Sequence, residues 1–343
     1  MKYNILGNTG VLVSELCLGA MTFGGKGFWK SIGEMPQDEV NQLIKTAVDH
    51  GINFIDTANV YSEGLSETMT GKALQTLGVN RQQVFLATKV RGRMGPGPNQ
   101  VGLSRLHIID SVDDSLTRLG LSHIDLLYIH GFDPITPLDE TMRGLEEVVR
   151  AGKVRYLGIS NHPAWMVMKA NAIADKMGWS KFVALQNYYS VAGRDVEREL
   201  VPLALSEGLG LMPWSPLAGG FLSGKFTRGK LKAGDSRRDD FDFPPVNKEK
   251  AWEIIDVMSE IAAQHGVSVA RVALTWLLQK PAVTSIIIGA KRNDQLLDNI
   301  EATSLQLTVE DMNKIDQVSA LVPEYPGWMV ERQMAGRFPE TNS

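Results

Sequence analysis

The sequence has a single cysteine, Cys17, among 343 residues, which excludes an internal disulfide. Cys17 falls in an apolar run, where a thiol acts as a small buried hydrophobe; a reactive thiol needs an electropositive setting. No run of about 18 apolar residues is present to span a bilayer, and Met1-Lys2-Tyr3-Asn4 opens no signal peptide, so a cytoplasmic home is expected. Neither sign of charge dominates. A net charge of −4 argues against nucleic acid or an anionic membrane as a general partner. No Gly-x-Gly-x-x-Gly follows a strand, which leaves a Rossmann domain unsupported. Gly219-Gly220-Phe221-Leu222-Ser223-Gly224-Lys225 nearly spells a triphosphate loop, but Phe226 stands where Ser or Thr would hold magnesium. Nucleoside triphosphate hydrolysis is rejected on that ground.

What is present is an alternation of short apolar strands and amphipathic helices. Residues 3–14 read as a hairpin turning at Gly7-Asn8-Thr9-Gly10. Eight strands follow, at 16–19, 53–56, 84–89, 124–129, 154–159, 182–185, 209–212 and 285–288. They are apolar throughout rather than alternating, as strands covered on both faces are. Between them, Val40, Leu43, Ile44, Ala47 and Val48 form one helical stripe. Ser104 caps a helix that stops at Gly120. Helix 138–151 buries Leu138, Met142, Leu145 and Val149. The pattern predicts an α/β protein, a closed parallel (β/α)8 TIM barrel, with an N-terminal β-hairpin, extra helices, a polar insertion near 222–247 and a C-terminal tail. No linker divides it, so residues 1–343 are read as one domain.

Three strands end on chemistry. Phe54-Ile55 runs into Asp56 with Tyr61 in the loop beyond, strand 84–88 runs into Lys89, and strand 124–129 runs into His130. Barrels keep their active sites at the carboxyl ends of their strands. As a set the four suit reduction of a carbonyl. A hydride added to C=O leaves an alkoxide that needs a proton, and a tyrosine, with a free pKa of about 10, supplies it when a neighbouring ammonium favours the phenolate. Asp56 would hold the charge of Lys89 in a partly dry pocket. A neutral His130 would donate a hydrogen bond to the carbonyl oxygen. No metal is needed. Singly, each has a plainer reading as a turn cap, packing ring or polar strand end. The other histidines, His50, His107, His123, His162 and His265, sit beside helix ends or polar runs, where solvated roles are expected.

Phe54-Ile55-Asp56-Thr57-Ala58, with Tyr61 and Ser66-Glu67, resembles the signature of the aldo-keto reductases, NAD(P)H-dependent carbonyl reductases built on a (β/α)8 barrel. The likeness runs from Leu18-Gly19 to Asn299. Gly102-Leu103-Ser104-Arg105 and Trp214-Ser215-Pro216-Leu217-Ala218 point to the branch that includes potassium-channel β subunits and related bacterial reductases. The family's tetrad falls on Asp56, Tyr61, Lys89 and His130. Two departures, Tyr61-Ser62-Glu63-Gly64 and Gly131-Phe132-Asp133-Pro134, bear on loop shape and substrate preference.

The resemblance implies a nicotinamide cofactor stacked on Trp214, with Ser160, Asn161 and Gln186 at the carboxamide. It also implies backbone N–H groups and charge from the segment Gly219 to Lys225 at the pyrophosphate, and Met21, Asp56, Ser215, Pro216, Leu217, Gly289 and Asp298 as further cofactor contacts. Ser236-Arg237 matches a clamp over the cofactor, the alternative being a solvated run Arg237-Arg238-Asp239-Asp240. Gln295 and Asn299, one turn apart, match the family's adenine contacts. Lys291 and Arg292 stand at the start of a helix whose N-terminus favours an anion. Two cations there suit a 2′-phosphate, so NADPH (NADP+) is expected over NADH. Phe23, Trp29 and Phe132 are expected to rim a pocket for a medium-sized aldehyde or ketone. For Tyr325, Trp328 and Met329 in the tail two readings stand, lining an apolar pocket over the nicotinamide and tail packing or an interface, and Trp165, Trp179, Trp252 and Trp276 suit packing. Two other functions stay open: a cofactor-binding regulatory subunit with slow turnover, and an aldolase with Lys89 as Schiff-base former.

Overall fold

The computed structural model describes residues 1–226, 228, 238, 241–335 and 337. An antiparallel hairpin of β1 (Tyr3–Ile5) and β2 (Leu12–Ser14) precedes a sheet of eight parallel strands. These are β3 (Leu16–Gly19), β4 (Phe54–Asp56), β5 (Phe85–Val90), β6 (Ile124–Ile129), β7 (Val154–Ser160), β8 (Phe182–Tyr188), β9 (Gly210–Trp214) and β10 (Ile286–Ile288). Their order is β10-β3-β4-β5-β6-β7-β8-β9. The two ends meet where Val283 bridges Leu211 and the Thr284 N–H donates to the Leu211 carbonyl at 2.9 Å. The sheet is thereby a nearly closed barrel, the (β/α)8 architecture that the alternation predicts.

Helices α1 (Gln37–Asp49), α2 (Leu65–Thr76), α3 (Arg105–Leu119), α4 (Leu138–Arg150), α5 (Ala164–Met177) and α6 (Leu200–Glu207) connect successive strands from β3 to β9. Two helices, α7 (Lys248–His265) and α8 (Val269–Leu278), lie between β9 and β10, and α9 (Asn293–Ile300), α10 (Val309–Val318) and α11 (Gly327–Ala335) follow. Among the described residues no single helix is long and apolar enough to cross a membrane.

Strand alternation splits the apolar residues into two sets. Cys17, Phe54, Phe85, Ala87, Leu126, Tyr128, Ala184, Met212 and Ile287 fill the barrel interior. Their neighbours Leu16, Leu18, Ile55, Leu86, Leu127, Ile159 and Leu185 pack outward under the helices. Leu6 and Val13 of the hairpin join the interior set, both fully buried, and so plug the amino-terminal end. The chemistry is left to the other end.

Local signals read from the sequence hold in places and shift in others. Ser104 caps α3 by accepting from the His107 N–H, and Gly120 ends that helix in the left-handed region at φ 65°. Strands β8 and β9 run on to Tyr188 and Trp214, past their expected ends at 185 and 212, so Gln186 and Trp214 sit on strands. In α4 the inward face is Thr141, Met142, Leu145 and Val148, with Leu138 and Val149 half-buried. Two of the histidines expected to be solvated are buried instead. His107 lies within reach of the Ser111 hydroxyl, and His162 holds the Ser160 carbonyl at 2.8 Å through Nδ1. Burial lowers both imidazoles below the ordinary range.

Helices α2 and α3 touch through Gly71. A Cβ there would stand 2.1 Å from the Leu119 carbonyl oxygen, and Leu119 is the last residue of α3 with no slack to give. Gly71→Ala should therefore cost about 1–3 kcal/mol, despite alanine's higher helix propensity. The urea midpoint of that variant measures it, and an unchanged or raised midpoint would show that the two helices can separate freely.

Candidate active site

The parity that fills the barrel also fills its mouth. Two residues beyond interior Phe54 comes Asp56, two beyond Ala87 comes Lys89, and two beyond Tyr128 comes His130. In the same way Ala184 leads to Gln186 and Met212 to Trp214. With side chains alternating along each strand, five polar or aromatic groups from five strands face one another as the top interior layer. Gly158 is permissive one layer below Ser160, because a Cβ there would meet the Tyr128 ring at 2.3 Å.

Lys89 is fully buried, and each of its three ammonium protons has an acceptor. Nζ donates to Asp56 Oδ2 at 2.5 Å, to the Thr57 carbonyl at 2.7 Å and to the Tyr61 hydroxyl at 3.3 Å. Since the Tyr61 oxygen accepts from Lys89, its own proton is directed elsewhere. Asp56 Oδ1 accepts from Gln186 Nε2 at 2.9 Å. Burial pushes the Asp56 carboxyl up, opposed by the Lys89 charge and by both hydrogen bonds. Burial also works against the Lys89 ammonium, but Asp56 outweighs it and the lysine stays above its ordinary range. The lysine's direction fits an ammonium held by a carboxylate, and the carboxyl's shows burial outweighing its partners in a dry site.

The Tyr61 ring meets His130 edge-on at 5.6 Å between centroids and Trp29 at 5.1 Å. Burial, then the charges of Lys89 and Arg91, push the His130 imidazole down to about 3. At neutral pH it is uncharged and has one N–H to give.

The loop carrying Tyr61 departs from the family pattern at Ser62, and the backbone shows why it is tolerated. Ser62 and Glu63 take left-handed φ values of 49° and 56°, a conformation that costs a non-glycine residue about 1–2 kcal/mol. The buried Ser62 hydroxyl offsets this by donating to the Phe23 carbonyl at 2.9 Å and accepting from the Gly25 N–H at 3.0 Å. Ser66 and Glu67 are structural as well. Ser66 links to Thr57 at 2.8 Å and to the Ala20 carbonyl at 2.7 Å. The fully buried Glu67 pairs with Arg118 at 2.6 Å and accepts from Thr88, next to Lys89, at 2.5 Å.

A cleft of about 530 Å³ opens from this layer. Its lining includes Asp56, Tyr61 and His130 together with Lys291, Gln295, Asp298 and Asn299. Met21, Ser160, Asn161, Gln186, Trp214, Ser215, Pro216, Leu217, Gly219, Lys225 and Gly289 line the same cleft. Asn161, left-handed at φ 59°, ties the mouth together. Its Nδ2 donates to the His130 carbonyl at 3.0 Å, and its Oδ1 accepts from Trp214 Nε1 at 3.0 Å. Gln295 Oε1 accepts from the Lys291 N–H at 3.0 Å, and Asp298 pairs with Arg271 at 2.7 Å.

Some expected residues are elsewhere. Phe23 is fully buried in the core, held there by its carbonyl's bond to Ser62, and is no rim residue. Phe132 is exposed, its ring against His162 rather than in the cleft, because Asp133 fastens the following turn to Leu103 and Thr136 at 2.7 Å each. Arg292 is outside the cleft lining and pairs with Asp294 at 3.0 Å. Ser236 and Arg237 lie outside the described residues. Arg238 is not part of a solvated run: it is buried, donates to the Ala218 and Pro244 carbonyls at 2.8 Å and lies over the Phe221 ring. The tail residues Tyr325, Trp328 and Met329 do not line the cleft.

Sequence reasoning missed the aromatic wall. Phe28, Phe241 and Phe243 line the cleft beside Trp29, with Phe28 against Phe241 at 5.3 Å and Phe243 stacked on Trp214 at 5.8 Å. Phe241 and Phe243 come from the polar insertion, whose periodicity gave no signal; their spacing of two was the only clue.

The chain matches the model of the Aldo/keto reductase family over residues 15–320. It is 35% identical to the versiconal hemiacetal acetate reductase of Aspergillus parasiticus, across 95% of this chain and 99% of that one. It is 36% identical to an uncharacterized oxidoreductase of Bacillus subtilis, across 93% and 96%. A protein named probable voltage-gated potassium channel subunit beta, from Arabidopsis thaliana, is 35% identical across 95% of this chain and 99% of its own. The barrel, the parity of its mouth and these relatives agree: the chain belongs to the aldo/keto reductase family.

Proposed function

We propose that the protein reduces an aldehyde or ketone to the alcohol with NADPH, Tyr61 serving as general acid. The observation that carries this reading is the meeting of the Tyr61 phenol, the Lys89 ammonium and the Asp56 carboxylate in one buried chain beside neutral His130. A bound reduced nicotinamide would supply the hydride. The cleft fits such a group: it is largely apolar near Trp214, Leu217, Ala270 and Leu274, and its far end faces Lys291 and the start of α9. Its size lies within the ordinary range for ligand sites.

Each residue has a stated task. His130, uncharged, donates to the carbonyl oxygen and fixes its approach. As negative charge develops on that oxygen, Tyr61 gives up its proton. Lys89, already bonded to the phenol oxygen, stabilises the phenolate left behind. Asp56 keeps Lys89 charged and aimed. Trp214 offers a face to the nicotinamide, Ser160, Asn161 and Gln186 the polar edge for its carboxamide, and Gln295 and Asn299 contacts for the adenine. The N–H groups opening α9, with Lys291, favour a 2′-phosphate, and Arg292 adds positive charge at the rim.

The relative named as a potassium channel β subunit keeps a second reading in view, a cofactor-binding subunit with slow turnover. The two part on one observation: following loss of the reduced nicotinamide against a panel of aldehydes and ketones. Many turnovers per site are expected; binding with one turnover or none would favour the regulatory role.

Tyr61→Phe should lower kcat by about two to four orders of magnitude, the usual worth of a positioned acid, with the NADPH Kd little changed. Retained turnover would remove Tyr61 from the acid role. NADPH should bind more tightly than NADH, and Lys291→Met should narrow that gap by about tenfold, the loss of roughly one charged contact. Equal affinities in the unaltered protein would refute the 2′-phosphate assignment. With its imidazole at about 3, His130 should show no titration in an NMR pH series between about 5 and 8, the range where free histidine titrates. The sign for stability follows: the unfolded chain takes up that proton near pH 6.5 and the folded one near 3, so His130 makes stability fall as pH drops through that window. His130→Gln should flatten this part of the curve.

A further inference from the structure

Asp56 has two carboxylate oxygens, and only one faces Lys89. The other, Oδ1, accepts from Gln186 Nε2 at 2.9 Å. The bond crosses the barrel mouth, from β8 to β4, between side chains that are both nearly fully buried. Gln186 is itself held: Ser160 Oγ donates to its backbone carbonyl at 2.7 Å, and its strand pairs in register with Ser160 on β7 and Met212 on β9. An amide fixed on three strands thus grips a carboxylate on a fourth. Gln186 also lines the cleft, and its amide reaches the buried Tyr128 hydroxyl, which with the Cys17 thiol is the other titratable group facing Asp56 from the barrel interior.

We propose that Gln186 is a positioning residue for proton transfer: by holding Asp56 Oδ1 it fixes the carboxylate orientation that aims Lys89 at the Tyr61 oxygen. This rests on the reductase reading for its consequence, but not for its geometry. A carboxylate with one free oxygen in a dry site can rotate about its bond or take up a proton. Either change slackens the grip on Lys89, whose remaining acceptors are the Thr57 carbonyl and the phenol. The hydrogen bond from Gln186 favours the charged form of Asp56, in opposition to burial. Its loss moves the carboxyl further up, so Asp56 is neutralised at a higher pH than in the parent chain. The same amide touches the cleft, so a ligand bonding to it acts on the ion pair through one side chain.

The test compares full-length protein with Gln186→Leu, which keeps bulk without a donor, and Gln186→Glu, which places a second carboxylate beside Asp56. For each, NADPH Kd, kcat, KM and the pH profile of kcat are measured with one turned-over carbonyl. Gln186→Leu should lower kcat at saturating NADPH and carbonyl by about tenfold or more, beyond the NADPH affinity that goes with its carboxamide contact. The acid limb of its kcat profile should move to higher pH, and that of Gln186→Glu further still. A weakened NADPH Kd with kcat and acid limb unchanged would overturn the proposal and leave Gln186 a cofactor contact only. A fall in kcat with an unmoved acid limb would overturn it in favour of packing.

A second readout needs no turnover. The stability deficit of Gln186→Leu in urea should be present at neutral pH and close as pH falls through the Asp56 range, where both proteins carry a neutral carboxyl. A deficit independent of pH would contradict the proposal. If the parent protein reduces no carbonyl, the reductase reading fails while this urea comparison still decides the role of Gln186.

Discussion

A lysine with no exposure to water needs acceptors for all its protons, and the top of this barrel is arranged around that requirement. Lys89 finds them in Asp56, in the Thr57 carbonyl and in Tyr61. Breaking such a pair by removing one partner typically costs about 3–5 kcal/mol, because a buried charge is left unmatched. The pair is therefore weak evidence for stability and strong evidence for constraint: it ties β4, β5 and the Tyr61 loop into one geometry. Thr57, Ser66, Glu67 and Arg118 extend that constraint into α2 and α3. A motif containing Asp56, Thr57, Tyr61, Ser66 and Glu67 is thus one connected body of hydrogen bonds, with the reactive groups at its inner edge.

The same constraint explains how much could be read in the chain. Eight apolar runs were legible, three of them leading to Asp56, Lys89 or His130, because a strand covered on both faces has a recognisable composition and its end is where polarity resumes. Period-two alternation then carries each strand's inward set to the mouth, which is why Asp56, Lys89, His130, Gln186 and Trp214 converge. Ser104 and Gly120 were legible for the same kind of reason, since cap chemistry is local. Phe23 and Phe132 were not, because whether a loop aromatic turns inward depends on contacts from distant segments: Ser62 seizes the Phe23 carbonyl, and Asp133 fixes the turn beyond Phe132. His107 and His162 misled in the same way, a polar residue near a helix end being solvated only when nothing packs over it. Arg238 shows the limit of charge patterning, one member of a charged run being drawn inward by two carbonyls and the Phe221 ring.

Chemistry and recognition divide along the cleft. The reactive end is built on strands, where positions are held to a fraction of an ångström by the barrel's hydrogen bonds. The aromatic wall of Phe28, Trp29, Phe241 and Phe243 is built outside the strands, with Phe28 and Trp29 on a short 3-10 helix and Trp29 against the Tyr61 ring. That division suits a fold in which one reaction serves different substrates. The relatives with reductase and channel-subunit names share most of their length with this chain.

The account stands or falls on whether the ammonium acts through the phenol. A double-mutant cycle on kcat with Lys89→Met and Tyr61→Phe asks this directly, because groups that act as a unit give strongly non-additive losses. The prediction is that the double variant is no slower than the worse single variant. Losses that multiply would show Lys89 and Tyr61 working independently, and would contradict the buried proton path from which the function has been drawn.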